Sequence, residues 1–232
     1  MSPGAAAIFV KTIGYSPLKT RLASGIGESR AYEFYRLACD CIVEQLQACE
    51  TEIQGVWAIA ETQLEAQARW QHLPVVMQGE GDLADRLAAV YSQLIARYPF
   101  AALLGADAPQ VSQHLFSSLG KLLEHFDFVV GPARDGGFYV FAGRLPLSQE
   151  FWQNIPYSDA KTCEILLQEL QAHGTVHILK TLTDVDILED LPFLQEELKS
   201  QIILSERQKA LLEWIDATLE SIANAPSAMR RP

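Results

Sequence analysis

The sequence predicts a single α/β domain, a three-layer α/β/α sandwich whose mostly parallel, mixed sheet is covered by helices on both faces. Three observations predict it. Short apolar runs alternate with longer stretches of helical period, the rhythm of an α/β sheet. The short runs are continuously apolar rather than alternating, as strands buried on both faces are. The chain has 232 residues, 49% of them apolar, enough to build one full core without staples or metals.

Taken in order, strands are expected at 5–10, 56–60, 75–78, 100–104 and 128–130, each bounded by Gly, Pro or charge, with further strands at 137–142 and 176–179. Helices are expected at 29–48, 82–97, 109–125 and 160–173. Ser205 and Gln208 have the spacing of a capping box, and Leu211, Leu212, Ile215, Leu219 and Ile222 form one apolar stripe behind it. Residues 1–200 thus form the expected domain, and 201–223 a C-terminal amphipathic helix packed on it. The same stripe is a candidate contact in a homodimer. The tail 224–232 has turn formers without periodicity and is expected to be disordered.

The formal net charge is −11. Such a balance argues against nucleic-acid partners, whose phosphates require a Lys/Arg stripe, and against anionic membrane surfaces. The first apolar run is too short for membrane insertion or a signal-peptide core, so a cytoplasmic location is expected. The cysteines Cys39, Cys41, Cys49 and Cys163 read as reduced, buried thiols. Charge is uneven, however. Residues 1–36 carry Lys11, Lys19, Arg21, Arg30 and Arg36 against Glu28 and Glu33, so an anionic ligand is expected near this end.

Four segments could carry chemistry. The loop 11–22, directly after the first strand, holds Lys11, Lys19 and Arg21, which suit a polyphosphate, although a solvated surface loop has the same composition. It lacks the Gly-Lys-Ser/Thr end of a Walker motif. In the segment 103–109 an apolar strand ends in Gly105-Ala106-Asp107, placing a carboxylate at the crevice that could hold a divalent cation or merely cap the next helix. Asp135-Gly136-Gly137 could bring backbone close to a ligand, with Asp135 accepting a proton or a sugar hydroxyl, but also reads as a simple hairpin turn. Asp184 and Asp186 would project on one side of an extended segment and could complete a metal site, while Asp186 with Glu189 also fits a capping box.

Gly79-Glu80-Gly81-Asp82-Leu83-Ala84 matches a dinucleotide pattern, yet Glu80 and Asp82 would set negative charge where a pyrophosphate must lie, so Asp82 reads as a helix cap. The histidines show no spacing that pairs them as zinc ligands, and nucleophile elbows are absent.

The order of these segments resembles a glycosyltransferase-like family first defined as a domain of unknown function, DUF2064, related to the guanylyltransferases of coenzyme F420 synthesis. The resemblance covers roughly residues 5–195. Lys19-Thr20-Arg21-Leu22 and the stretch from Gly131-Pro132 to Gly136-Gly137 carry most of it. It implies the nucleotide-diphospho-sugar transferase fold, called GT-A, and a metal-dependent transferase using a nucleotide-diphospho-sugar donor and a small-molecule acceptor. It would put Lys11, Lys19 and Arg21 on the nucleotide phosphates, include Asp82 and Gly136 among the nucleotide-binding positions, and set Asp107 and Asp186 on Mg²⁺ or Mn²⁺. Arg21 would stabilise the departing phosphate, and Asp135 would act as base on the acceptor. The sequence departs from the family pattern at Ala108, where a polar residue or Cys is usual, and at Tyr157-Ser158, which replaces Trp-Ser.

Two other functions remain open at this stage. A nucleotidyltransferase could use the same fold with an NTP, although Gly136-Gly137-Phe138-Tyr139 stands where the F420-type enzymes resemble one another in Gly-Thr-Asn. A non-catalytic nucleotide-binding module is the third.

Overall fold

The structure, a computed structural model, describes residues 3–224. Within them, seven strands form one sheet in the order β3-β2-β1-β4-β6-β5-β7. They are β1 (Gly4–Val10), β2 (Ile53–Ile59), β3 (Val75–Met77), β4 (Ala101–Gly105), β5 (Phe128–Pro132), β6 (Phe138–Gly143) and β7 (Val176–Ile178). β1 pairs in parallel with both β2 and β4, and β6 is antiparallel to its neighbours β4 and β5. This is the expected mixed, mostly parallel sheet, and each expected strand is present within a few residues of its anticipated bounds.

The helices are α1 (Thr20–Ile26), α2 (Glu28–Gln47), α3 (Leu64–Gln67), α4 (Leu83–Ile95), α5 (Gln113–His125), α6 (Gln149–Gln153), α7 (Thr162–Gln171), α8 (Leu191–Lys199) and α9 (Glu206–Ala223). The period-two alternation of β1 divides the core. Ala6, Ile8 and Val10 face a cluster with Ile42 and Leu46 of α2 and Phe116 and Leu119 of α5. Ala5 and Ala7 face the other, with Val90 and Tyr91 of α4, Phe141 and Leu166. Helices therefore cover both faces, which is why these strands read as unbroken apolar runs.

A third cluster joins α1 and α2 to α8 and α9 through Leu22, Phe34, Leu194, Leu198, Leu211 and Ile215. Ser205 and Gln208 cap α9 reciprocally, each backbone N–H meeting the other's side-chain oxygen at 3.3 Å. Leu211 and Ile215 are fully buried within the chain, and Leu212, Leu219 and Ile222 pack against the same cluster. Most of the expected tail lies outside the described residues. Among those residues no helix is long and apolar enough to cross a membrane. All four cysteines are buried and free.

Two expected boundaries move. α5 starts at Gln113, after Ser112, rather than at 109, because the carbonyls of Pro109 and Val111 accept both N–H groups of the buried Gln208 amide instead of entering the helix. Asp107 is accordingly not the cap of that helix. Near 190, the carboxylate that accepts the backbone N–H groups of Asp186 and Ile187, both at 2.9 Å, belongs to Asp190. The expected Asp186/Glu189 box does not form, and Asp186 is left for another partner.

The topology fixes where a ligand fits. From β1 the chain passes to β2 on one side, and β4 then returns to the other side of β1. Such a switch point opens a crevice outside the carboxyl ends of the two strands.

Candidate active site

A cleft of about 490 Å³ lies there. Lys11 at the end of β1, Lys19 before α1, Asp82 at the start of α4, Asp107 after β4 and Asp186 all line it. Residues widely separated in sequence thus converge at one sheet edge.

The loop from Lys11 to Lys19 is held from beneath by Glu61, a buried carboxylate just beyond β2. Its oxygens accept the Thr12 N–H at 3.0 Å, the Thr12 hydroxyl at 2.9 Å and the Ser16 hydroxyl at 2.6 Å. Three donors satisfy a charge whose burial would otherwise be costly. Tyr35 fixes the loop's first residue, its hydroxyl accepting the Lys11 N–H at 3.0 Å and lying 3.2 Å from the Lys11 carbonyl. Gln78, also buried, donates to the carbonyls of Val10 at 3.1 Å and Ala58 at 2.8 Å, so it ties together the ends of β1 and β2. Arg86 on α4 lines the cleft as well and donates to the Gly81 carbonyl at 3.0 Å.

Lys19 is the electrostatic centre. Its ammonium lies 2.8 Å from Asp107 Oδ1, donates to the Val185 carbonyl, and its side chain is only 5% exposed. Its backbone adopts φ 49°, a left-handed conformation that costs a non-glycine residue about 1–2 kcal/mol. Burial acts to lower its pKa, but Asp107, Asp184 and Asp186 outweigh that effect and hold the ammonium above its ordinary value. Arg21, 75% exposed on the first turn of α1, donates Nη1 to Asp186 Oδ2 at 2.8 Å.

Leu182 bridges Ala133, and beyond it Val185 is fully buried between Asp184 and Asp186, which are only partly so, the burial alternation expected of the two carboxylates on one side. The segment is fastened by the Val185 N–H to the Asp107 carbonyl at 3.0 Å and by Thr183, whose N–H and hydroxyl both bond Glu197 of α8. Asp184 completes the cluster. Burial first, then Asp107, with smaller contributions from Asp135 and Asp186, push its carboxyl up to about 8 against the opposing pull of Lys19.

A pH dependence follows. The folded chain keeps the Asp184 proton through a window in which the unfolded chain has lost it, so this group's contribution to stability falls as pH rises from about 4 to about 8. Asp184→Asn removes the titration. In metal-free buffer its melting temperature relative to the parent is expected to rise steadily between about pH 5 and about pH 8. A pH-independent difference would contradict this assignment.

Asp135 and Gly136 do not line the cleft. Asp135 Oδ1 accepts the Gly137 N–H at 2.9 Å, and the Gly136 N–H bonds the Ala133 carbonyl at 3.2 Å, so the segment forms a turn between β5 and β6. At Gly136, φ is 94°, and a Cβ would collide with the Ala160 carbonyl. The glycine therefore allows backbone packing against the start of α7, where the Cys163 N–H also bonds the Gly136 carbonyl at 2.8 Å. Gly136→Ala is expected to cost about 2 kcal/mol, read as a lower urea midpoint; an unchanged midpoint would overturn this role.

Asp82 lines the cleft and caps α4, its carboxylate accepting the Asp85 N–H at 3.1 Å. A Cβ on Gly81 would meet the Asp85 carboxylate, so an acidic group fills the place where a dinucleotide phosphate would approach. Ala108 is buried in the core, and Tyr157 donates to the Trp152 carbonyl at 3.2 Å.

Asp184 was visible in the sequence by its spacing from Asp186. Glu61, Tyr35 and Arg86 carried no comparable signal, since each is a lone polar residue in an unremarkable context, and Gln78 stood out only as the start of the Gln78-Gly79-Glu80-Gly81-Asp82-Leu83 segment.

The architecture is that of the nucleotide-diphospho-sugar transferases. A structure of a candidate nucleotide-diphospho-sugar transferase from Desulfovibrio desulfuricans matches with a TM-score of 0.81 and 24% identity over 96% of this chain and 99% of that one. A cytidylyltransferase from Leptospira borgpetersenii matches at 0.55 and 14%, over 97% and 98%. A 4-diphosphocytidyl-2C-methyl-D-erythritol synthase from Anaerococcus prevotii matches at 0.54 and 12%, over 85% and 99%. No curated protein matches the sequence. The family model described as an uncharacterized protein conserved in bacteria, DUF2064, matches residues 43–159, half of the chain, and the chain belongs to this family.

Proposed function

We propose that the chain is a transferase that binds a nucleotide-diphospho-sugar in this cleft together with Mg²⁺ or Mn²⁺ and passes the sugar to a small-molecule acceptor. The convergence of Lys11 and Lys19 with Asp107 and Asp186 at the sheet's switch point carries the reading. A cationic loop facing carboxylates is unexpected in a chain of net charge −11 unless a polyphosphate and its counter-cation share the space. The fold shared with the Desulfovibrio protein supports the donor class.

The donor set fits a cation only in part. Among the described residues no group of three or more His, Cys, Asp or Glu side chains is arranged to hold a metal, and Asp107 and Asp186 are already neutralised by Lys19 and Arg21. Two carboxylates completed by phosphate oxygens are a usual set for Mg²⁺, so Asp107 and Asp186 would hold the cation jointly with the nucleotide. Bound there, it would neutralise phosphate charge.

The chain's own side chains supply the remainder. Exposed Lys11 and Arg21 meet phosphate oxygens from the solvent side, Arg21 by exchanging Asp186 for the ligand. As the bond from sugar to diphosphate breaks, negative charge grows on the departing phosphate, and the fixed ammonium of Lys19 stabilises it without reorganising. Asp135 lies outside the lining of the cleft but acts electrostatically on Asp184; with its Oδ1 occupied by the turn, its Oδ2 would take the proton of an acceptor hydroxyl arriving from that side.

The test is the identity of the released product. Incubation with UDP-, GDP-, ADP- and dTDP-sugars and with the free triphosphates, each with Mn²⁺, should release a nucleoside diphosphate from one sugar nucleotide. Pyrophosphate from a triphosphate would assign nucleotidyl transfer instead, and binding without any product would leave a non-catalytic module.

A further inference from the structure

A second cavity, of about 340 Å³, lies against the other side of the β1–α1 loop. It falls within the size range of small-molecule sites. Tyr35 lines both cavities, whereas Trp57, Trp70, Arg36, Arg69, His72 and Asp40 line this one and not the nucleotide cleft.

Its floor is aromatic. Trp57 and Trp70 pack with ring centroids 4.7 Å apart and their planes tilted by 52°, and Tyr35 meets Trp70 edge-on at 6.5 Å. Both indole N–H groups are spent inside the protein, Trp57 on the Gln71 carbonyl and Trp70 on the Thr12 hydroxyl, each at 2.8 Å. What the indoles can offer an occupant is therefore apolar surface and ring faces.

Its rim is cationic. Arg69 is pinned in place, donating Nη1 to the Ile13 carbonyl at 3.0 Å with its guanidinium over the Tyr15 ring at 5.2 Å. The Arg36 guanidinium has neither an ion pair nor a hydrogen bond among the described residues. His72 lines the rim with its backbone at φ 73°. The rim's carboxylate, Asp40, faces Arg207 of α9 at 3.8 Å, so it does not neutralise the two guanidinium groups fully. Two arginines lining the same cavity as a pair of tilted indoles define the occupant's chemistry: an apolar, aromatic body to pack against the rings and an anionic group to meet the forks.

We propose that this cavity is a second ligand site, taking a small aromatic anion. The site abuts the loop that carries Lys11, through Thr12 and Tyr35, but its occupancy does not depend on the nucleotide cleft or on its function. The full chain, labelled with ¹⁵N-tryptophan and free of nucleotide, reports on it directly. Indole-3-acetate, naphthalene-2-sulfonate and phenyl phosphate serve as probes, with tryptamine as the cationic isostere.

At least one of the anions should shift the indole N–H signals of Trp57 and Trp70 saturably at millimolar concentration, leaving those of Trp152 and Trp214 in place. Arg36→Gln, at an exposed and unpartnered position, should weaken that binding about fivefold. Arg36→Gln with Arg69→Gln should abolish it. The proposal is overturned if no anion shifts the two signals, if tryptamine shifts them equally, or if Arg36→Gln binds as the parent does. None of these outcomes bears on transfer chemistry in the first cleft.

Discussion

Lys19→Met should destabilise the protein by about 3 kcal/mol near neutral pH and abolish nucleotide binding. The ammonium is buried, lies 2.8 Å from Asp107 and also interacts favourably with Asp184 and Asp186. Methionine keeps most of the side-chain volume but removes the charge, leaving carboxylates at close quarters with no internal counter-ion. Breaking a buried pair from one side costs more than the pair contributes, because the remaining charge is stranded. Urea denaturation measures the loss. A variant as stable as the parent at every pH would show that Lys19 is not the counter-ion of this cluster.

Asp107→Asn should lower the transfer rate by at least about a hundredfold while disturbing the fold less than loss of Lys19 does. The amide is isosteric, and Asp184 and Asp186 still face the ammonium. What disappears is the carboxylate proposed to share a divalent cation with the nucleotide phosphates. Mn²⁺ should then no longer tighten nucleotide binding. Product release at the parent rate would remove Asp107 from the machinery. A rate loss that tracks unfolding would make its role structural.

The sheet was legible because its strands are buried on both faces, so each reads as a short apolar block ended by Gly, Pro or charge. α2, α4, α5 and α7 were legible because a repeat of 3.6 residues emerges over ten or more positions. α1, α3, α6 and α8, with four to nine residues each, are too short to display it. Pro192 further disguised α8, although proline in a first turn is compatible with a helix.

For the site, local spacing placed Asp184 and Asp186 on one side of an extended segment and Lys11, Lys19 and Arg21 on one loop. It did not show that Lys19 closes on Asp107 or Arg21 on Asp186, since those pairings depend on how β1, β4 and the 182–186 segment meet in space. The Asp135 turn shows the converse. A local hydrogen bond from Gly137 to Asp135 Oδ1 and the packing of Gly136 on Ala160 set the turn's backbone and leave only Asp135 Oδ2 for a ligand. Glu61 is legible only in three dimensions, where its three hydrogen bonds hold the cationic loop.

The most direct test of a nucleotide-binding cleft built on Lys19 and Asp107 is a thermal-shift titration with UDP-, GDP-, ADP- and dTDP-sugars, each with and without Mn²⁺, on the parent and on Asp107→Asn. A ligand that binds the folded state raises the melting temperature by mass action. One sugar nucleotide should stabilise the parent, more strongly with Mn²⁺, and the metal-dependent part should vanish in the variant. Equal stabilisation of parent and variant, or no response to any sugar nucleotide, would contradict the account.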